Sequence, residues 1–160
     1  MTSYVDSSVL VAIYVPELTS ARARRQVRAS GSVPWSQLHD IEVRNALRLL
    51  CGRKVLSAAD LAAVLAQLDD DIDAGRLLRV EVDWPVVFAR AQALSEAHTA
   101  TVLSRSLDIL HVALAVELGC TQLVSADHRQ VRLARLARLR AVEVRPQQAA
   151  GGRPGRQGRS

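Results

Sequence analysis

Thr2-Ser3-Tyr4-Val5-Asp6-Ser7-Ser8-Val9-Leu10-Val11-Ala12-Ile13-Tyr14 decides the fold of this chain. Thr2 to Val5 reads as a short strand and Asp6-Ser7-Ser8 as the turn after it. Val9 to Tyr14 starts a helix that Pro16 interrupts. The same order returns late in the chain, where Thr121 to Ser125 predicts a strand and Asp127 to about Leu136 a helix. Between and beyond them, strands are predicted over 32–34, 77–82 and 141–144. Helices are predicted over 19–30, 36–50, 57 to about 74, onward from Pro85, and 106–118. Strands alternating with helices imply an α/β chain with a mainly parallel sheet covered on both faces. Ligands in such folds bind beyond the carboxyl ends of the strands. Asp6 and Asp127 each follow a strand and project from that edge. If those strands are neighbours, their axes lie about 4.8 Å apart, and the two acids can share a metal.

Two further acids sit on helices. In the 36–50 helix the stripe Leu38, Glu42, Asn45, Ala46 and Leu49 puts Glu42 on the inward face. Asp108 lies in the first turn of the 106–118 helix, which is apolar nearly all round and therefore expected to be central. Taken singly, three of the acids have plain structural readings. Asp6 suits a turn or N-cap, Asp108 a helix dipole, and Asp127 with Gln130 something close to a capping box. Glu42, mid-helix, gains nothing from a cap. Acids rarely stand beside a core unless they are paired or bound to metal. Four converging carboxylates would repel one another and raise at least one pKa. A hard divalent cation, magnesium or manganese, removes that conflict and points to metal-assisted phosphodiester hydrolysis.

Around this quartet, Ser8 or Ser7 is placed to hold a metal-bound water or to close the turn, and Asn45, one turn beyond Glu42, to orient it. His111 reads as a helix-packing histidine, and His39, His98 and His128 show no ligand spacing. The Asp69-Asp70-Asp71-Asp73 run reads as a solvated helix face. Arg129 and Arg132 are the candidates for phosphate contacts. Arg22, Arg24, Arg25 and Arg28 could serve likewise or meet an acidic partner.

Bulk properties narrow the classes. One domain suits 160 residues, and 49% hydrophobic content excludes a disordered chain. Aromatics at 3% imply a core of Leu, Val and Ala and argue against binding single strands by base stacking. No apolar run approaches the roughly 20 residues of a membrane span, and no secretory signal opens the chain. Cys51 and Cys120 are too few for a disulfide framework or a cysteine zinc site, so a cytoplasmic protein is expected. The net charge is +5. Arg145, Arg153, Arg156 and Arg159 belong to an acid-free tail, which leaves about +1 for residues 1–144. The division is a folded 1–145 domain and a 146–160 basic tail expected to be disordered.

Four stretches together resemble the PIN-domain nucleases. They are Tyr4-Val5-Asp6-Ser7-Ser8-Val9-Leu10, Glu42-Val43-Arg44-Asn45-Ala46-Leu47, Leu107-Asp108-Ile109-Leu110-His111-Val112-Ala113-Leu114-Ala115 and Leu123-Val124-Ser125-Ala126-Asp127-His128-Arg129-Gln130. Within that family the chain looks most like the VapC toxins of type II toxin–antitoxin pairs. The resemblance implies a three-layer α/β/α fold with a central, mainly parallel sheet. It implies a cytoplasmic endoribonuclease dependent on Mg2+ or Mn2+, with its site at Asp6, Glu42, Asp108 and Asp127. RNA is the implied substrate, a VapB-like antitoxin the implied partner and a homodimer the implied assembly. Ser8 matches a small hydroxyl residue common in the family, and Ser125 stands where the family commonly has Thr. Ala126 replaces a common Phe, and Gln130 stands where some members carry an acid or Asn. In the resulting scheme Asp6 and Asp108 hold the cation, Asp127 binds it directly or through water, and Glu42 completes the shell or positions the attacking water. Rival readings are a relic PIN module that binds RNA or protein, and an aspartyl phosphatase, against which Ser8 argues because that class needs a second Asp there.

Overall fold

The computed structural model describes residues 2–146, so most of the basic tail lies outside the described residues. Five strands alternate with seven helices: β1 (Ser3–Val5), α1 (Ser7–Tyr14), α2 (Ser20–Ser30), β2 (Val33–Trp35), α3 (Gln37–Gly52), α4 (Ala58–Asp73), β3 (Leu77–Arg79), α5 (Trp84–Val102), α6 (Ser106–Glu117), β4 (Gln122–Ser125), α7 (His128–Leu136) and β5 (Arg140–Glu143). Every strand pair is parallel. β4 lies between β1 and β5, while β2 pairs with β3. β1 and β4 are neighbours, with Val5 opposite Val124.

The sheet is hydrogen-bonded as two ladders, not one. Between them, the Val5 carbonyl accepts from His39 Nε2 at 3.0 Å, so a side chain satisfies a group that a strand would otherwise pair. Two cores flank the sheet. Val5 and Val124 face one cluster, which includes Leu10, Leu47 and Leu68 of α1, α3 and α4. Tyr4 and Leu123, the alternate residues, face the other, which includes Val112, Leu114 and Leu133 of α6 and α7. That alternation across short strands produces the α/β/α sandwich. Gly119, at a φ of 65° that side chains disfavour, turns the chain from α6 into β4.

Three expectations about helix faces are corrected. The buried residues of α3 are Leu38, His39, Val43 and Leu47, while Leu49 and Asn45 are exposed. The inward stripe therefore runs beside Glu42, which is half-buried at its edge. On α5, where the sequence spacing predicts an apolar face of Val87, Phe88, Ala91 and Leu94, Val87 and Ala91 are buried but Phe88 is 52% exposed. On α4, Asp71 is not simply solvated. It accepts from Tyr14 at 2.6 Å and pairs with Arg76 at 2.7 Å.

Candidate active site

Asp6 comes directly after β1, and its N–H donates to the Val124 carbonyl at 2.9 Å, one step beyond the β1–β4 ladder. It caps α1: Oδ2 accepts from the Ser8 N–H at 3.2 Å and from the Ser8 hydroxyl. Oδ1 accepts from Gln130 Nε2 at 3.2 Å. Asp6 is 7% exposed. Capping uses one oxygen, and the other faces the carboxyl edge.

His111 joins that oxygen to α3. Its Nε2 donates to Glu42 Oε2 at 2.5 Å and stands 3.5 Å from Asp6 Oδ1. Its Nδ1 lies 2.6 Å from the Tyr4 hydroxyl, which donates to it. Burial pushes the Tyr4 hydroxyl well above its ordinary range, and the charges of Asp6 and Glu42 push it further, so the phenol keeps its proton. Ser7 Oγ adds a 2.8 Å bond to the same Glu42 oxygen. Among the described residues, Oε1 carries no hydrogen bond. For His111, burial opposes a positive charge, but the Glu42 bond and the charges of Asp6, Glu42 and Asp108 outweigh it and raise the pKa. For Glu42, burial works upward, but the His111 bond and charge and the Ser7 bond hold the carboxyl below its ordinary value. The imidazole thus bridges the two carboxylates through one nitrogen.

Asp108 and Asp127 are less enclosed. Asp127 caps α7, with Oδ1 accepting from the Arg129 N–H at 2.7 Å and Oδ2 3.4 Å from the Arg129 guanidinium. Its own N–H donates to Ser125 Oγ at 3.0 Å. Burial would raise its pKa, yet the Arg129 amide and guanidinium bring it down. Asp108 accepts from the Arg105 N–H at 3.0 Å. Its pKa is raised, chiefly by burial and then by the negative charges of Asp127 and Asp6, despite the Arg105 bond.

The edge accordingly brings Asp6 and Glu42 onto one nitrogen, with Asp108 in the field of Asp6 and Asp127. Among the described residues, no three His, Cys, Asp or Glu side chains stand close enough together to hold a metal ion. Ser8 and Ser125 support Asp6 and Asp127 as hydrogen-bond partners. Asn45 is exposed and makes no hydrogen bond to Glu42; Ser7 and His111 orient that carboxylate. Arg129 contacts Asp127, whereas Arg132 is exposed. Three polar residues of the site are hidden in the sequence: His111 reads as helix packing, Gln130 as part of a cap and Tyr4 as a strand residue. The available signal was spacing: His111 lies one helical turn after Asp108, and Gln130 one turn after Asp127. His39, expected to have no role, caps α3 through Ser36 and stacks on Trp35 at 5.6 Å.

The sequence profile of the PIN domain matches residues 3–136. The chain belongs to the PIN-domain family. PIN domains are generally nucleases and typically use divalent metal ions. Among solved structures, FitAcB from Neisseria gonorrhoeae is similar at a TM-score of 0.60 and 16% identity. That match covers 88% of this chain and 96% of that one. VapBC2 from Rickettsia felis, bound to a DNA fragment from their promoter, is similar at 0.60 and 13%, covering 89% and 98%. At these identities the likeness is one of fold. No curated protein matches the chain. Among the described residues, no helix of this PIN domain is long and apolar enough to cross a membrane.

Proposed function

We propose that this PIN domain is the toxin of a toxin–antitoxin pair, a cytoplasmic endoribonuclease that hydrolyses RNA phosphodiesters with Mg2+ or Mn2+. The observation that carries this reading is the meeting of Asp6 and Glu42, from distant segments, on one buried imidazole nitrogen at the carboxyl edge. Asp108 and Asp127 add their charges beside them. The donor set is all hard oxygen, which suits a small divalent cation. Two features fit such an ion. Asp108 lies in the negative field of Asp127 and Asp6, which helps to raise its pKa, and Gln130 Oε1 is buried with no partner next to Asp6.

Asp6, Asp108 and Asp127 would hold the cation, Asp127 directly or through water. When bound, it supplies positive charge for the phosphate and lowers the pKa of water. Glu42 is fixed through Oε2 by Ser7 and His111, which leaves Oε1 to accept a hydrogen bond from the attacking water and orient it in line. The products would be a 5′-phosphate and a 3′-hydroxyl. The similarity to FitAcB and VapBC2 supports an antitoxin partner, and the family resemblance a homodimer.

The test is an RNA digest with Mg2+, with EDTA, and with a 2′-deoxy substitution at the scissile nucleotide. Cleavage that needs Mg2+ and tolerates the substitution supports the reading. Cleavage that survives EDTA, or that the substitution abolishes, contradicts it. RNA binding with no cleavage of any RNA would mark a relic module.

A further inference from the structure

The structure assigns a second element to the carboxyl edge. We propose that the groove at the ends of β2 and β3, walled by Arg44, Arg48 and Arg79, holds the phosphate backbone of single-stranded RNA flanking the scissile bond. This rests on the nuclease reading above and adds a substrate track to it.

The groove is a cavity of about 390 Å³ lined by Trp35, Ile41, Arg44, Arg48, Arg79 and Val80 among others. Trp35 and Arg79 are the last residues of β2 and β3 and pair in register, so the groove lies at the carboxyl ends of those strands. It shares that end of the molecule with the acids, because α3 leaves β2 and within two turns delivers Glu42 to the site. Ile41, on the groove wall, is the residue before Glu42. His39 links the two regions: it stacks on Trp35 and bonds the carbonyl of Val5, the residue before Asp6.

Charge decides the occupant. A cage of four acids repels a polyanion, so attraction must come from beside it. Arg44 is held by Asp40 at 3.1 Å and Asp69 at 2.6 Å and serves as a fixed wall. Arg48 and Arg79 are exposed and make no ion pair among the described residues. Two unpaired guanidinium groups at the open side of a groove suit phosphate oxygens, which they bind in bidentate fashion. Trp35 is 1% exposed, so no aromatic face is offered to bases. Recognition here is of backbone, with no base readout.

The test reverses one charge at a time: Arg48→Glu, Arg79→Glu and, as a control, Arg140→Glu. Arg140 is exposed and opens β5, at the amino-terminal end of the sheet, opposite the acids. Each change alters net charge equally. Binding of a long single-stranded RNA is measured against salt in EDTA. Cleavage of the same RNA and of a trinucleotide is measured in Mg2+. Arg48→Glu and Arg79→Glu should each lower the salt slope by about 0.7 and weaken binding several-fold. They should raise KM for the long RNA and leave trinucleotide cleavage unchanged, while Arg140→Glu alters none of these. Unchanged slopes, or equal losses in all three variants, overturn the proposal. Loss of retention on polyglutamate with RNA binding intact would also overturn it and assign the groove to an acidic peptide. Should the unaltered protein cut no RNA, the nuclease reading fails, and the binding arm still decides the groove.

Discussion

Asp69, Asp70, Asp71 and Asp73 are the densest acids in the chain, and Asp6, Glu42, Asp108 and Asp127 the most dispersed. The dense run spreads around α4. Asp69 pairs with Arg44 and Asp71 with Tyr14 and Arg76, while Asp70 and Asp73 are exposed. Each of those charges meets its own partner or water, so they share no task. The dispersed four come from two strand ends and two helices; Asp6 and Glu42 meet on His111, and Asp108 lies in the field of Asp127 and Asp6. Density along a sequence thus says little about a site. A shared partner, here His111 between Asp6 and Glu42, says much more.

The sharpest break between the two groups is catalytic. Asp6→Asn should lower RNA cleavage by on the order of 10³-fold, since it weakens an oxygen facing the metal position. Asp70→Asn should leave cleavage unchanged and stability within about 0.5 kcal/mol. Parallel single-turnover assays and melting curves measure both.

The next effect separates positioning from metal holding. His111→Gln should reduce kcat by roughly 10–100-fold, because Glu42 loses the group that orients it, with KM little changed. A rise in KM alone would place His111 in RNA binding instead.

Much of this comparison was open to the sequence, and the reasons for the rest are physical. Strand ends followed by acids marked Asp6 and Asp127, because a buried strand tolerates a carboxylate only past its end. The order of elements and the parallel sheet followed from the same pattern. The face of α3 did not, because it carries two apolar stripes. The exposed one includes Ile41 and Leu49, and the buried one is completed by His39, a residue that hydropathy discounts. The same discount hid His111. The break between β1 and β2 was also illegible, since a side chain fills it. PIN-domain membership follows from the profile match over residues 3–136.

A smaller effect concerns pH. Burial, then the charge of His111, lowers the His39 pKa to about 3. In the fold its neutral ring donates from Nε2 to Val5 and accepts at Nδ1 from the Ser36 N–H. The unfolded chain protonates it near ~6.5. Its contribution is therefore complete above that pH and is lost as pH falls toward 3. Between pH 7 and pH 5 this amounts to about 2 kcal/mol of unfolding free energy, which His39→Gln should remove from the pH dependence. Urea unfolding at the two pH values checks it.

The smallest effect returns to the dense run. Tyr14→Phe deletes the bond to Asp71 and should cost about 1 kcal/mol of stability with no change in cleavage. A loss of activity beyond that of the folded fraction would tie α4 to the site.

Whether the scattered acids gather around a cation is tested most directly by titrating Mn2+ into labelled protein and following amide signals by NMR. The amides of residues 6–8, 42, 108 and 127–130 should broaden first and together, while those of 69–73 stay sharp, and Asp6→Asn should abolish the effect. Broadening that begins at 69–73, or that reaches Asp6 without Asp108, would contradict a shared metal site.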